Sequence, residues 1–421
     1  MRYICTYCNL YTYDDQIGDA AQGIAPGTKP DDFPKGWVCP ICGQPHEYMQ
    51  QVSEEEYAEK TSRLVAEPSG ASPQAMDLNR YRTVARERLT GICGEFNVCD
   101  GSPNRTCQGQ KFGASLGFGG AGQGTTFHAN YTALQKFRLK TRLVKDNKEP
   151  DTSTTLFGAR VRAPFTGASM AGVKNSMNGV MTEEEFYRGL LEGAKLFGTI
   201  GLVGNTAEVE DETGVKVIEA SGGQGIPVFK PQAQQRLLQL FRIAEKANVV
   251  AIGVDLDGVG SVTWARKGKH VERKTEAQLK ELVDSTSKPV FFKGVMCLDD
   301  AACVADSGAS AMYVSNHGGR VLDSGQGVAE VLPEIAKRFG GRTAIMADGC
   351  VRTGYDVLKV LALGADVALI GRPIARMSLA GGAEGVRMYY EYVLGDLRMA
   401  MIMTGCDSVD EIDDRVLAKA D

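Results

Sequence analysis

The stretch YVSNHGGR, residues 313–320, sets His317 between an Asn and a pair of glycines, with Arg320 three positions further on. An imidazole that titrates near neutrality can take a proton from a hydroxyl, and a guanidinium can hold a carboxylate in a two-pronged hydrogen-bonded fork. Gly318 and Gly319 let the backbone between them come close to a ligand. The stretch therefore begins like a buried strand and ends like an anion-binding turn that carries a histidine. A lone histidine at a strand end is more often a satisfied structural residue, so the neighbouring strand ends have to decide.

A second constellation lies in the first 50 residues, where Cys5-x-x-Cys8 and Cys39-x-x-Cys42 flank a run rich in Gly, Pro and Asp. Two such pairs supply four thiolates to one tetrahedral metal, and so short a segment depends on that clamp to fold. Spacing alone leaves zinc and iron open. The stretches CTYCNLYTYD and GIAPGTKPDDFPKGWVCPICG resemble rubredoxin, including Tyr11, Tyr13 and Trp37 where rubredoxins pack a small core; Asn9 stands where many have Gly. The resemblance implies one redox-active iron on Cys5, Cys8, Cys39 and Cys42. Cys93, Cys99 and Cys107 follow no iron–sulfur spacing, and Cys297, Cys303, Cys350 and Cys406 read as core or incidental.

Eleven cysteines in 421 residues are many, and without a signal-peptide pattern or a membrane-length apolar run the expected location is the cytoplasm, where such an excess points to metal or redox chemistry. A net charge of −5, with no concentrated basic face, argues against nucleic acid and gives no reason to expect a membrane partner.

What must position His317 and Arg320 is a repeating fold. Residues 1–50 form the rubredoxin-like domain, and 51–75 read as a charged connecting helix and linker. Residues 76–421 make up the rest, a barrel preceded by a glycine- and cysteine-rich segment. There, apolar runs alternate with amphipathic helical ones: RAPFTGA, TIGLVG, IPVFKP, VVAIGVD, PVFFKGV, AMYVSN, TAIMAD and DVALIG as strands, with helices such as EEEFYRGLLEGAKLF and GVAEVLPEIAKRF between. Eight strands with helices between them predict an α/β class protein, a (β/α)8 TIM barrel whose chemistry sits at the C-terminal strand ends. Those ends are polar: Lys230, Asp255 and Asp257, Lys293, His317 and Arg320, Asp348 and Arg352, and Arg372. The last two loops, ADGCVRTGYD and IGRP, pair glycines with Arg352 and Arg372, which suits a phosphate-bearing ligand.

The segments DTSTTLFG, KGV, SNHGGRVLD, DGCVRTGYDVLKVLALGA and IGRP, from about residue 130 to 412, resemble the FMN-dependent α-hydroxy-acid oxidase and dehydrogenase family. The resemblance implies FMN as cofactor. It makes His317 the catalytic base, Arg320 the substrate-carboxylate ligand, Asp255 the carboxylate paired with the protonated histidine, and Lys293 the cation beside flavin N1 and O2. It also makes Ser315, Asp348, Gly349, Arg352, Gly371 and Arg372 flavin and phosphate contacts, with Gly318 and Gly319 close to the cofactor and Ser169, Met170 and Ala171 as backbone under the ring. Differences cluster near the substrate. The glycine-rich run 112–124 lacks the family's Tyr, Pro227, Phe229 and Lys230 stand where the family has Gln and Tyr, and the Arg that often follows strand four has no counterpart. The glycine-rich run is still expected near the flavin. Function reads as oxidation of a 2-hydroxy acid, or reduction of a 2-oxo acid, with electrons exchanged between FMN and the chain's own iron. The resemblance further implies a small-molecule carboxylate substrate, an external redox partner protein, an anaerobe's dehydrogenase, and a homo-tetramer. Another small substrate, or an electron-transfer module serving a partner protein, are the alternatives.

Overall fold

The computed structural model describes residues 1–6, 11–19, 22–39, 45–54, 57, 77–89 and 119–419, which fall into two compact units, 1–75 and 76–421. In the first, β1 (Arg2–Cys5) pairs antiparallel with β2 (Thr12–Asp14) on one side and β3 (Met49–Val52) on the other. So small a sheet can bury only a small core, and aromatic rings supply it. Phe33 lies 4.7 Å from Trp37 and edge-on to Tyr13 at 4.9 Å, and Tyr11 lies 5.8 Å from Trp37. Cys5 and Cys39 are buried in the same cluster.

The second unit begins with α1 (Leu78–Arg88) and α2 (Thr125–Gln135). Eight strands follow: β4 (Phe165–Gly167), β5 (Gly201–Val203), β6 (Gly225–Phe229), β7 (Ile252–Asp255), β8 (Val290–Val295), β9 (Ala311–Val314), β10 (Ala344–Ala347) and β11 (Val367–Ile370). From β5 to β11 each pairs in parallel with the next, and β11 pairs back onto β4. A bridge between Met170 and Val203 links β4 to β5, so the sheet forms a nearly closed barrel. A helix follows every strand: α3 (Glu183–Phe197), α4 (Thr213–Ala220), α5 (Gln234–Lys246), α6 (Glu276–Asp284), α7 (Leu298–Asp306), α8 (Val328–Phe339), α9 (Gly354–Ala362) and α10 (Arg372–Thr404). The apolar runs predicted as strands all contain one, while α4, α7 and α10 are helices the sequence pattern did not mark.

Alternation along each strand sorts the two faces. Leu202, Val228, Phe291, Tyr313 and Leu369 fill the barrel interior, whereas Val203, Phe229, Phe292, Val314 and Ile370 pack outward against the helices. Both faces are covered, which is why the runs are apolar throughout. The DTSTTLFG segment folds as a hairpin, Thr154–Leu156 with Ala159–Val161, whose Leu156 and Val161 join the interior cluster and whose Phe157 stacks on Phe291 at 5.6 Å. Phe291 stands near the start of β8, so the hairpin plugs the N-terminal mouth and leaves the C-terminal mouth for chemistry. No helix among the described residues is long and apolar enough to cross a membrane.

Candidate active site

At the open mouth lies a cavity of about 520 Å3, within the range of about 300–1,000 Å3 typical of cofactor and substrate sites. Ser169, Met170, Ala171, Asp255, Lys293, His317, Gly318, Arg320, Asp348, Gly349, Arg352, Gly371 and Arg372 all line it, joined by Lys230. Ser315 and Gly319 stand behind the lining. Ser315 is fully buried, donates to Asp348 Oδ2 at 2.8 Å and accepts the His317 N–H at 3.1 Å, and Gly319 packs on the backbone of α2.

Five charged or titratable side chains meet at the ends of β6 to β9. Lys230 Nζ lies 2.5 Å from Asp255 Oδ2, and Lys293 Nζ lies 2.7 Å from Asp255 Oδ1 and 3.4 Å from Asp257 Oδ1. His317 Nδ1 is 2.9 Å from Asp257 Oδ1, 3.5 Å from Asp255 Oδ1 and 3.2 Å from Lys293 Nζ. Burial by itself pushes the Asp255 carboxyl up, but Lys230, Lys293 and His317 outweigh it and hold that group well below the usual carboxylate range. Burial likewise pulls the Lys293 ammonium down, and Asp255, Asp257 and Asp348 more than reverse it, so Lys293 stays charged. Asp255, Asp257 and His317 could by type and spacing hold a metal ion. The two ammonium groups already occupy the positions from which a cation would be held, so the cluster is a salt-bridge network.

The histidine turn is clamped from the side. Asn130 of α2 and Asn316 exchange amide hydrogen bonds of 2.8 and 2.9 Å, Asn316 Oδ1 also accepts the Gly319 N–H, and Ala121 N donates to Gly319 O at 2.7 Å. The Gly119 carbonyl accepts from Arg320 at 3.1 Å, and Ser176 Oγ accepts from the same guanidinium at 3.2 Å. Asp323 accepts from Gln123 N, Thr125 N and the Thr125 hydroxyl, which, with the Thr125 bond foremost, draw its carboxyl down to about 2. Residues 119–124, the described part of the glycine-rich run, thus sit on the His317 loop.

The remaining strand ends fit FMN. Asp348 Oδ2 accepts from Ser315 and from the Tyr313 hydroxyl, whereas its buried Oδ1 has no protein partner and is placed to take a hydroxyl of a polyol chain. Burial raises the Asp348 carboxyl against the pull of Lys293. Thr353 and Asp356 cap α9 reciprocally, and Asp356 Oδ2 also accepts the Arg352 N–H at 3.1 Å, which fixes the loop behind the Arg352 side chain. The 33-residue α10 opens with Gly371, Arg372 and Pro373 facing the cavity, an N-terminus suited to a phosphate. Arg372 donates to Gly318 O at 2.8 Å and lies 4.4 Å from the Phe127 ring. Across the cavity, buried Glu183 accepts the N–H groups of Gly172 and Val173 at 2.7 and 2.8 Å, and so anchors the Ser169–Met170–Ala171 backbone.

Sequence reasoning passed over Asn130, Glu183 and the closeness of Asp257 to His317. It also read Cys350 as incidental, but Cys350 lines the cavity at a left-handed φ of 76°, between Gly349 and Val351. In the small unit, Cys5 at the end of β1 and Cys39 are buried side chains of one core, and Cys5 N donates to Tyr11 O at 2.9 Å. Cys8, Cys42, Cys93, Cys99, Cys107 and residues 112–118 lie outside the described residues.

Comparison with known proteins agrees with both halves. Residues 111–270 and 260–419 match the family model described as FMN-dependent dehydrogenase, and residues 2–49 match that of rubredoxin. The chain is 28% identical over 327 residues to an L-lactate oxidase of Lacticaseibacillus rhamnosus (strain LMS2-1), which covers 70% of this chain and 86% of that protein. It is 28% identical over 328 residues to a 4-hydroxymandelate oxidase of Amycolatopsis orientalis, covering 69% and 89%. A crystal structure of mandelate oxidase with (S)-2-phenylpropionate superposes with a TM-score of 0.65 at 28% identity, over 82% of this chain and 98% of that one.

Proposed function

Because the chain belongs to the FMN-dependent dehydrogenase family and bears an N-terminal rubredoxin domain, we propose that it oxidises a 2-hydroxy acid to the 2-oxo acid and passes the electrons to its own rubredoxin iron. The barrel is that of an oxidoreductase which binds FMN, and the rubredoxin domain binds iron. The relatives act on lactate and 4-hydroxymandelate, by their names, which supports a hydroxy-acid substrate here. One observation carries the reading: His317 and Arg320, on one turn, line the same cavity as Lys293, Asp348 and Arg352.

The geometry supports the roles that the family resemblance implies. His317 turns Nδ1 toward carboxylates, and an acceptor at 2.9 Å assigns the ring proton to that nitrogen. Nε2 is then the basic nitrogen available to the cavity, and it takes the substrate's hydroxyl proton. Arg320 holds the substrate carboxylate, and its hydrogen bonds to Gly119 O and Ser176 Oγ fix the direction of the guanidinium. Bound FMN would supply a hydride acceptor that can release electrons singly. Lys293 would present its buried ammonium to the flavin ring, and Asp348, Arg352 and Arg372 would hold the ribityl and phosphate groups. Cys5, Cys8, Cys39 and Cys42 ligate the iron, and a separate redox protein takes electrons from it.

Anaerobic mixing of the holoprotein with L-lactate, glycolate and mandelate tests this. The flavin absorbance should bleach with at least one acid, the iron absorbance should fall after it, and His317→Ala should slow bleaching by about 10²- to 10⁴-fold. No bleaching with any of the three acids, or a wild-type rate in His317→Ala, would refute the proposal.

A further inference from the structure

We propose that Asp257, and not Asp255, is the residue that orients His317 and balances the charge it acquires, a positioning role that rests on the reading of His317 as the base. Asp255 ends β7 at the place where the resemblance puts the histidine's carboxylate partner. In this chain, however, that carboxylate is taken on both sides: Lys230 lies 2.5 Å from one oxygen and Lys293 2.7 Å from the other, and His317 Nδ1 stands 3.5 Å away. Asp257 stands closer to the ring, at 2.9 Å, and only one ammonium touches it, more distantly, at 3.4 Å. Its second oxygen, Oδ2, is buried without a partner. The two ammonium groups on Asp255 oppose its field at an imidazolium, whereas Asp257 has a single, more distant ammonium beside it.

The backbone is shaped for this arrangement at two points. A Cβ on Gly258 would stand 2.6 Å from Lys230 Cδ and 2.9 Å from Pro231 Cδ, so the glycine leaves room for the Lys230 side chain on its way to Asp255. A Cβ on Gly294, at φ +102°, would stand 2.7 Å from the Asp257 backbone nitrogen, so the turn carrying Asp257 can close down on β8 only because position 294 is glycine. The departure at Lys230 therefore engages both oxygens of Asp255 with ammonium groups and leaves it the more distant of the two carboxylates from His317. The charged groups facing His317 and its turn are Asp257 and Asp255 from the end of β7, Lys293 from β8, Asp348 from β10 and Arg372 from α10, with Lys230 one step behind Asp255.

The test is the pH titration of His317 in FMN-loaded protein with 15N-labelled histidine. The chain has four histidines, so His317→Gln identifies the signal. An anion beside an imidazole favours its protonated form, so removing the partner moves the titration to lower pH. Asp257→Asn should move it to lower pH and should move the acid limb of anaerobic flavin reduction by L-lactate the same way, with a rate loss of about 10²-fold or more. Asp255→Asn should move neither midpoint comparably. If Asp257→Asn does not hold FMN, Gly294→Ala, which pushes Asp257 away and leaves every charge in place, should produce the shift instead. A titration unmoved by the Asp257 substitution, or moved more by Asp255→Asn, overturns the assignment. Loss of the base role itself shows separately, as wild-type flavin reduction in His317→Gln.

Discussion

Asp255→Asn should destabilise the barrel far more than Lys230→Met, although each removes one end of the same ion pair. Asp255 is 5% exposed and answers two ammonium groups, at 2.5 and 2.7 Å. Removing one partner of a buried pair costs about 3–5 kcal/mol, because the other charge is left uncompensated. In Asp255→Asn that charge is Lys230, whose ion pair among the described residues is with Asp255; Lys293 still has Asp257 at 3.4 Å. In Lys230→Met, Asp255 keeps Lys293 and an apolar chain of similar length fills the space, so the loss should stay below about 2 kcal/mol. The double variant removes the stranded ammonium and should be more stable than Asp255→Asn alone, a coupling of about 1–3 kcal/mol. For a barrel of this size, 3–5 kcal/mol corresponds to a fall of roughly 4–7 °C in apparent Tm. Thermal unfolding of the FMN-saturated variants, followed by circular dichroism, measures it. A sign check comes from pH. A carboxyl held below its unfolded value of 3.8 contributes stability that is present above that value and lost as pH falls through the lower folded value. The gap between wild type and Asp255→Asn should therefore be constant through neutral pH and narrow only below about pH 4. Equal losses in the two single variants, or additive effects in the double, would refute the description of Asp255 as the shared anion of two lysines.

Two other outcomes follow. Gly319→Ala should cut flavin reduction at least as severely as loss of the base, about 10²-fold or more. The new Cβ would lie 2.4 Å from the Phe127 backbone nitrogen at a left-handed φ of 75°, which displaces the whole His317–Arg320 turn from α2; wild-type kinetics in this variant would show that the clamp has no part in positioning. Cys39→Ser should remove the iron absorbance and leave the flavin absorbance and substrate-driven bleaching intact, since the barrel and the small unit have separate cores; flavin lost in step with iron would contradict that independence.

The barrel was legible because each parallel strand is covered on both faces, so an unbroken apolar run such as VVAIGVD announces itself. The helices that escaped notice are the ones whose sequences blur the pattern. In α10 the run LAGGAEGV reads as a break, and the chain does leave helical geometry at Gly382. Two helical halves meet at that kink, and α3 packs closely on both, at Gly189 and Gly193, where a Cβ would run into Ser378 and Val386. The Asn130–Asn316 clamp was invisible for a different reason: the partners are 186 positions apart, and nothing in either local sequence refers to the other.

The charged residues at the strand ends could be read from fold geometry and the backbone contacts only from the family resemblance, but the partnership among them could be read from neither. Asp255 ends β7 and Asp257 lies two residues on, in the 3-10 turn Leu256–Gly260, so closeness in sequence brings both to one end of the same strand. Local pattern therefore offers both carboxylates to His317 equally. What breaks the tie comes from two other loops: Lys230, at the end of the preceding strand, draws Asp255 away, and Gly294, in the following strand, admits Asp257 to within 2.9 Å of the ring. A choice made by three segments at once leaves no mark in any single one. That is why a residue-by-residue transfer of roles from the family names Asp255, and why the substitution at position 230, seemingly a change near the substrate, acts first on the base.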